Sequence, residues 1–174
     1  MILLIIIIYI FVSIYYMLAT HLKWAKNDDY ATPLEAWETI LQYIPKKQKL
    51  WLPFYLDGGA EHIVEGLGYD VEHHDLDFFE YDIPNALVID NPPYANKKQV
   101  IERLKERGEP FALLLPLHTL ERNYLHGDND LQIIIKKGKF NFVEGSKMSA
   151  PYKACWFCWG MSHYLKSDKQ FIFV

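Results

Sequence analysis

Apolar and polar positions along the chain change period several times, and each change predicts an element. Leu34, Trp37, Ile40 and Leu41 recur at helical spacing, predicting a helix over residues 33–43 with Thr32 as N-cap and Pro33 in its first turn. Pro45 ends it. The apolar run 49–55 predicts a strand, Asp57-Gly58-Gly59 a turn, and residues 60–67 a helix closed by Gly66 or Gly68. Residues 70–74 read as a second strand. The run 87–90 is a buried strand stopped by Pro92-Pro93, and 97–107 an amphipathic helix capped by Asn96 and ended by Gly108. Strands follow at 111–115, stopped by Pro116, and at 131–135, 139–143 and 154–161. Strands alternating with helices predict an α/β fold with a mostly parallel sheet and helices on both faces. In such sheets ligands bind beyond the carboxyl ends of the strands. Segments 55–59, 74–79, 90–94 and 116–118 are therefore expected on one rim.

Residues 1–20 stand apart, because they contain no charged side chain. Twenty helical residues span about 30 Å, the thickness of a bilayer core. One reading is a single-pass anchor at residues 2–20, with Lys23 and Lys26 holding the following domain (21–174) in the cytoplasm. Another is an extraneous extension with Met17 as the true start, and a third is a buried strand. The remaining observations are independent of that choice.

Composition narrows the function classes. Hydrophobic residues make up 51% and charged residues 23% of the 174, which excludes wholesale disorder. Aromatics reach 16%, a surplus that serves packing or base stacking. The net charge of -4 excludes a wholly basic nucleic-acid binder, so any phosphate-binding surface is a local patch. Two cysteines cannot build a disulfide framework. Cys155 and Cys158 have CxxC spacing but lie within an apolar strand, which predicts buried thiols rather than a redox or zinc site. His73-His74-Asp75 has no companion metal-ligating cluster and reads as a strand-end loop, so no metal is expected. The basic groups at Lys46-Lys47-Lys49, Lys97-Lys98 and Lys136-Lys137-Lys139 read singly as solvated faces.

Asn91-Pro92-Pro93-Tyr94 carries the sharpest chemistry. Consecutive prolines after a buried strand stiffen the backbone in an extended form, and their nitrogens carry no hydrogen. The stretch presents carbonyls without competing donors, and Asn91 adds an amide oxygen. Such acceptors match a planar NH2 group, and Tyr94 offers a face to stack on its ring.

Asp90-Asn91-Pro92-Pro93-Tyr94 resembles the catalytic motif of the S-adenosylmethionine-dependent amino-methyltransferases. That group includes adenine-N6 DNA methyltransferases and release-factor glutamine methyltransferases. Tyr30-Ala31-Thr32-Pro33 resembles the cofactor-contacting segment before the first helix of the adenine enzymes. Trp51-Leu52-Pro53-Phe54 followed by Gly58-Gly59 stands where their cofactor loop belongs, although that loop usually carries a spaced glycine pattern. Asp77-Phe78-Phe79 resembles the element near the adenine end of the cofactor. The order is similar to small phage- and virus-type enzymes over about residues 26–161. The resemblance implies a Rossmann-like methyltransferase sheet and S-adenosyl-L-methionine as cofactor. It implies Asn91, Pro92, Pro93 and Tyr94 as catalytic, and Tyr30, Thr32, Pro33, Pro53, Phe54, Gly58, Asp77 and Phe78 as cofactor-binding. An acidic group for the ribose hydroxyls is expected near the second strand, with Glu61 and Asp70 both candidates.

The implied reaction is methylation of the N6 amine of adenine in DNA, with RNA as the alternative polymer. Lys97, Lys98 and His118 are the expected nucleic-acid contacts. No segment is long enough for a separate recognition domain, so specificity falls to loops such as 117–130 or to a partner. The expected location is the cytoplasm, that of the host cell if the chain is viral. Two rival functions are a glutamine-amide methyltransferase of proteins and a non-catalytic binding module derived from a methyltransferase.

Overall fold

The computed structural model describes residues 31–142 and 152–174. Tyr30 and the apolar block 1–20 lie outside the described residues, as does Val143. Ala31–Val174 form one compact unit. Its elements are α1 (Leu34–Leu41), β1 (Leu50–Trp51), α2 (Gly59–Gly66), β2 (Val71–Glu72), β3 (Leu87–Asp90), α3 (Lys97–Arg107), β4 (Phe111–Pro116), β5 (Leu131–Ile135), β6 (Ala154–Trp159), α4 (Ser162–Leu165) and β7 (Phe171–Phe173). Among the described residues no helix is long and apolar enough to cross a membrane.

Seven strands form one sheet in the order β2-β1-β3-β4-β6-β5-β7. β2, β1, β3 and β4 run parallel to one another. β6 enters antiparallel between β4 and β5, and β7 pairs parallel with β5. The sheet is therefore mixed, which corrects the expectation of a mostly parallel one. The apolar run of β6 fixes its burial on both faces but carries no direction, since a buried strand reads alike either way.

Alternation within the strands builds two cores. Leu50, Leu87, Ile89, Ala112, Leu114, Ile134 and Trp156 face one side, where α1 adds Trp37 and Ile40 and α2 adds Val64. Trp51, Val88, Leu113, Leu115, Ile133 and Phe157 face the other, covered by Val100, Ile101 and Leu104 of α3. Helices thus lie on both faces, as the periodicity predicts. Cys155 and Cys158, three apart, fall on opposite faces. Both are free and buried, and burial pushes the Cys155 thiol up to about 11 and that of Cys158 higher still.

Several predicted boundaries move. α1 starts one residue later than expected, with Pro33 rather than Thr32 at the N-cap and no side-chain cap. β1 and β2 shrink to two residues each, because only Leu50–Val71 and Trp51–Glu72 are in register. Residues 139–142 form no strand; Phe140 packs into the core instead. β7 and α4 escape the sequence reading, β7 because it is a half-exposed edge strand.

Trp156 is fully buried at the centre of this packing. Its Nε1 donates to the carbonyl of Ala36 at 2.9 Å, and its ring centroid lies 5.8 Å from that of Trp37, clamping α1 to β6. Trp156→Phe leaves the Ala36 carbonyl without that donor and opens a small void. The expected loss is about 1–3 kcal/mol, read as a lower urea midpoint at unchanged m-value.

Candidate active site

The order of strands reverses beside β1: the chain passes from β1 to β2 on one side and then to β3 on the other. A crevice opens at such a switch point, outside the carboxyl ends of the strands. Here the segments that leave the strands at that point are 52–54 after β1 and 91–94 after β3. One buried side chain joins the two. Asp90, 3% exposed, accepts the Phe54 N–H on Oδ2 and the Asn91 N–H on Oδ1, both at 2.7 Å. These donors favour the charged carboxylate, but burial outweighs them and raises its pKa to about 7.

Beyond Asp90 the chain is stiff. Pro92 is buried, Pro93 is exposed with φ −55° and ψ 119°, and a single 3-10 turn, Tyr94–Asn96, leads directly into α3. Pro92 and Pro93 donate no hydrogen bonds. Asn91 Oδ1 is buried and has no hydrogen-bond partner among the described residues. Buried acceptors are nearly always satisfied, so this one calls for a donor from outside the described residues.

The aromatic and basic expectations divide. Tyr94 meets Tyr152 edge-on at 5.6 Å between centroids, and Tyr152 in turn meets His118 at 6.5 Å. His118 is exposed, on the 3-10 turn after β4. The ends of β3 and β4 and the approach to β6 thus share one aromatic edge. Lys97 turns back to donate to the Tyr94 carbonyl at 2.9 Å, so it braces the motif. Lys98 is exposed and pairs loosely with Glu102 at 3.6 Å.

Pro53, Phe54, Gly58, Asp77 and Phe78, five of the expected cofactor residues, lie in the segments after β1 and β2. Pro53 is buried, and the ring of Phe54 lies 5.0 Å from that of buried Phe78. Asp77 is exposed, its Oδ1 accepting the Phe79 N–H at 2.8 Å in a turn. Thr32 is buried and Pro33 opens α1, whose first turn reaches the same rim because Glu35 pairs with Lys136, just after β5, at 2.7 Å. Glu35 and Ala36, next in α1, tie to β5 and β6, away from the glycine turn.

Of the two acidic candidates, Asp70 precedes β2 and so stands at its amino end, the wrong rim. Glu61 lies in the first turn of α2, on the correct one. Sequence reasoning missed a third candidate acceptor. His73, 4% exposed, follows β2, and its Nδ1 lies 2.6 Å from the Leu52 carbonyl. A carbonyl only accepts, so Nδ1 carries a proton; in the neutral ring the buried Nε2 is then an acceptor, and it has no partner among the described residues. Its neighbour His74 is occupied by Glu72 at 2.8 Å. The missed Tyr152 has a similar cause: it lies on this rim only because β6 runs backwards.

Gly58 caps α2 in the left-handed region at φ +78°. A Cβ there would lie 2.9 Å from the Tyr55 hydroxyl, whose ring packs 4.9 Å from His73. Tyr55 can swing aside, but the backbone strain remains. Gly58→Ala is expected to cost about 1–2 kcal/mol, measured as a fall in unfolding free energy. An equal loss at Gly66, a helical position with open space around it, would show that φ is not the cause.

No family model matches the chain, and no curated protein matches it in sequence.

Proposed function

We propose that this chain transfers a methyl group from S-adenosyl-L-methionine to the N6 amine of adenine in DNA, on a Rossmann-like sheet. The observation that carries the reading is the buried, unpartnered Asn91 Oδ1 at the carboxyl end of β3, beside the switch point of the sheet. The motif resemblance agrees with it. An acceptor held there, next to the Pro92 carbonyl, suits a flat NH2 group.

The residues present fit the cofactor. Phe54 and Phe78 offer an apolar wall, and Glu61 and His73 Nε2 supply acceptors for hydroxyl donors. When bound, S-adenosylmethionine supplies an electrophilic sulfonium methyl. The chain's own residues do the rest. Asn91 Oδ1 and the Pro92 carbonyl accept the two amine hydrogens, favouring a pyramidal nitrogen with an available lone pair. The same acceptors stabilise positive charge developing on that nitrogen. Tyr94, supported by Tyr152, holds the base once it has left the stack. Asp90 positions the acceptors by fixing the Phe54 and Asn91 amides. The larger share of the rate comes from placing two reactants together.

The test is mass spectrometry of nucleosides after incubating the protein with cofactor and unmethylated DNA or RNA, in parallel with a protein glutamine substrate. N6-methyladenine in DNA is the expected product. Label in protein alone, or none anywhere, overturns the assignment.

A further inference from the structure

The opposite, amino-terminal rim of the sheet carries a second recess that the proposed reaction does not use. Asn129, Asp130, Gln132, Ser162, Asp168 and Gln170 line a groove of about 350 Å³. Neither Asp130 nor Asp168 forms an ion pair among the described residues, and no basic side chain lines the groove. Gln132, 6% exposed, provides an independent signal. Its Nε2 donates to the carbonyls of Ser167 at 2.6 Å and Lys169 at 3.0 Å, which fixes the orientation of the amide. Its Oε1 is then an acceptor, buried and without a partner among the described residues. Two unpaired carboxylates and an orphaned amide oxygen call for a ligand that brings both N–H donors and positive charge.

A bare metal ion fits poorly. No group of three metal-ligating side chains occurs among the described residues, and the groove holds far more than one ion. It also continues into a neighbouring recess of about 410 Å³ that shares Asp130 and Gly160 and includes Pro110 and Phe111. There the acids other than Asp130 are already neutralised: Asp128 pairs with Lys105, and Glu109 with Arg107 at 2.6 Å. That part offers apolar contact rather than charge. We propose that this rim binds a primary ammonium group on a short aliphatic stem, with the ammonium between Asp130, Asp168 and Gln132 Oε1 and the methylenes along Pro110 and Phe111. Free aliphatic diamines and protein lysine side chains share that chemistry.

Calorimetric titration of the full chain at low salt tests it, with putrescine, Nα-acetyl-lysine methylamide and calcium chloride as separate probes. Saturable one-to-one binding of an amine is expected, weakened at least about tenfold in the Asp130→Asn/Asp168→Asn double variant and in Gln132→Met. Tighter putrescine binding identifies a free diamine as the source, and tighter binding of the lysine derivative a protein side chain; either supports the site. Should Gln132→Met fail to fold, the double variant decides, because both of its positions are exposed. Absence of saturable amine binding, unchanged affinity in the double variant, or calcium binding at the same residues with comparable affinity overturns the proposal. Methyl transfer is not the readout, so this result and the catalytic assignment stand or fall separately.

Discussion

Asn91→Ala is expected to lower methyl transfer to DNA by about 10²–10³-fold while leaving the protein folded. Removing one pre-aimed polar contact from a reacting group costs about that much when the contact strengthens as charge develops. The fold should hardly notice, because Asn91 Oδ1 has no partner within the described chain to lose. Deleting an unsatisfied acceptor is close to neutral or slightly stabilising. Nucleoside mass spectrometry gives the rate, circular dichroism the fold, and calorimetry the cofactor affinity, which should stay within a few-fold. An active variant would mean that the NH2 group is held elsewhere. Lost cofactor binding would move Asn91 from the target side of the crevice to the cofactor side.

Asp90 should make stability fall as pH rises. Its folded pKa is about 7 against an ordinary 3.8, because burial penalises the charged carboxylate more than the Phe54 and Asn91 amides favour it. Between those values the folded chain keeps a proton that the unfolded chain has released, so the unfolding free energy declines with pH. The stabilising term is complete below about pH 4 and gone above about pH 7, and roughly three units correspond to about 4 kcal/mol at most. Asp90→Asn removes this titration. The stability of the native chain relative to the variant is therefore expected to drop across that interval, measured by urea unfolding at half-unit steps. Parallel curves for the two proteins would show that Asp90 is ionised throughout. Asp90→Ala is the harsher change: it leaves two partly buried N–H groups without their acceptor, at up to about 1–3 kcal/mol each.

The same neighbourhood shows what a sequence can and cannot convey. β3, α3 and β5 match their predicted limits, because each is a dense apolar pattern closed by a strong local signal such as Pro92-Pro93 or Gly108. Segment 139–143 alternates like a strand, but its described part, 139–142, is not a strand, and Phe140 is buried in the core. Asp70 and Glu61 were equivalent as letters and became distinct once β2 acquired a direction. His73 and Tyr152 gave no usable signal, since the interest of each lies in what faces it across the sheet.

By itself the sequence determined the alternation of helices and strands, the burial of both sheet faces and the stiff acceptor turn after β3. These are local matters, set by side-chain period and by the missing N–H of proline. Tertiary structure alone decided the reversed direction of β6, the rim on which each loop emerges, and the link from Asp90 to Phe54. Direction and distance between strands depend on which ladders pair. A run of apolar residues carries no record of that choice.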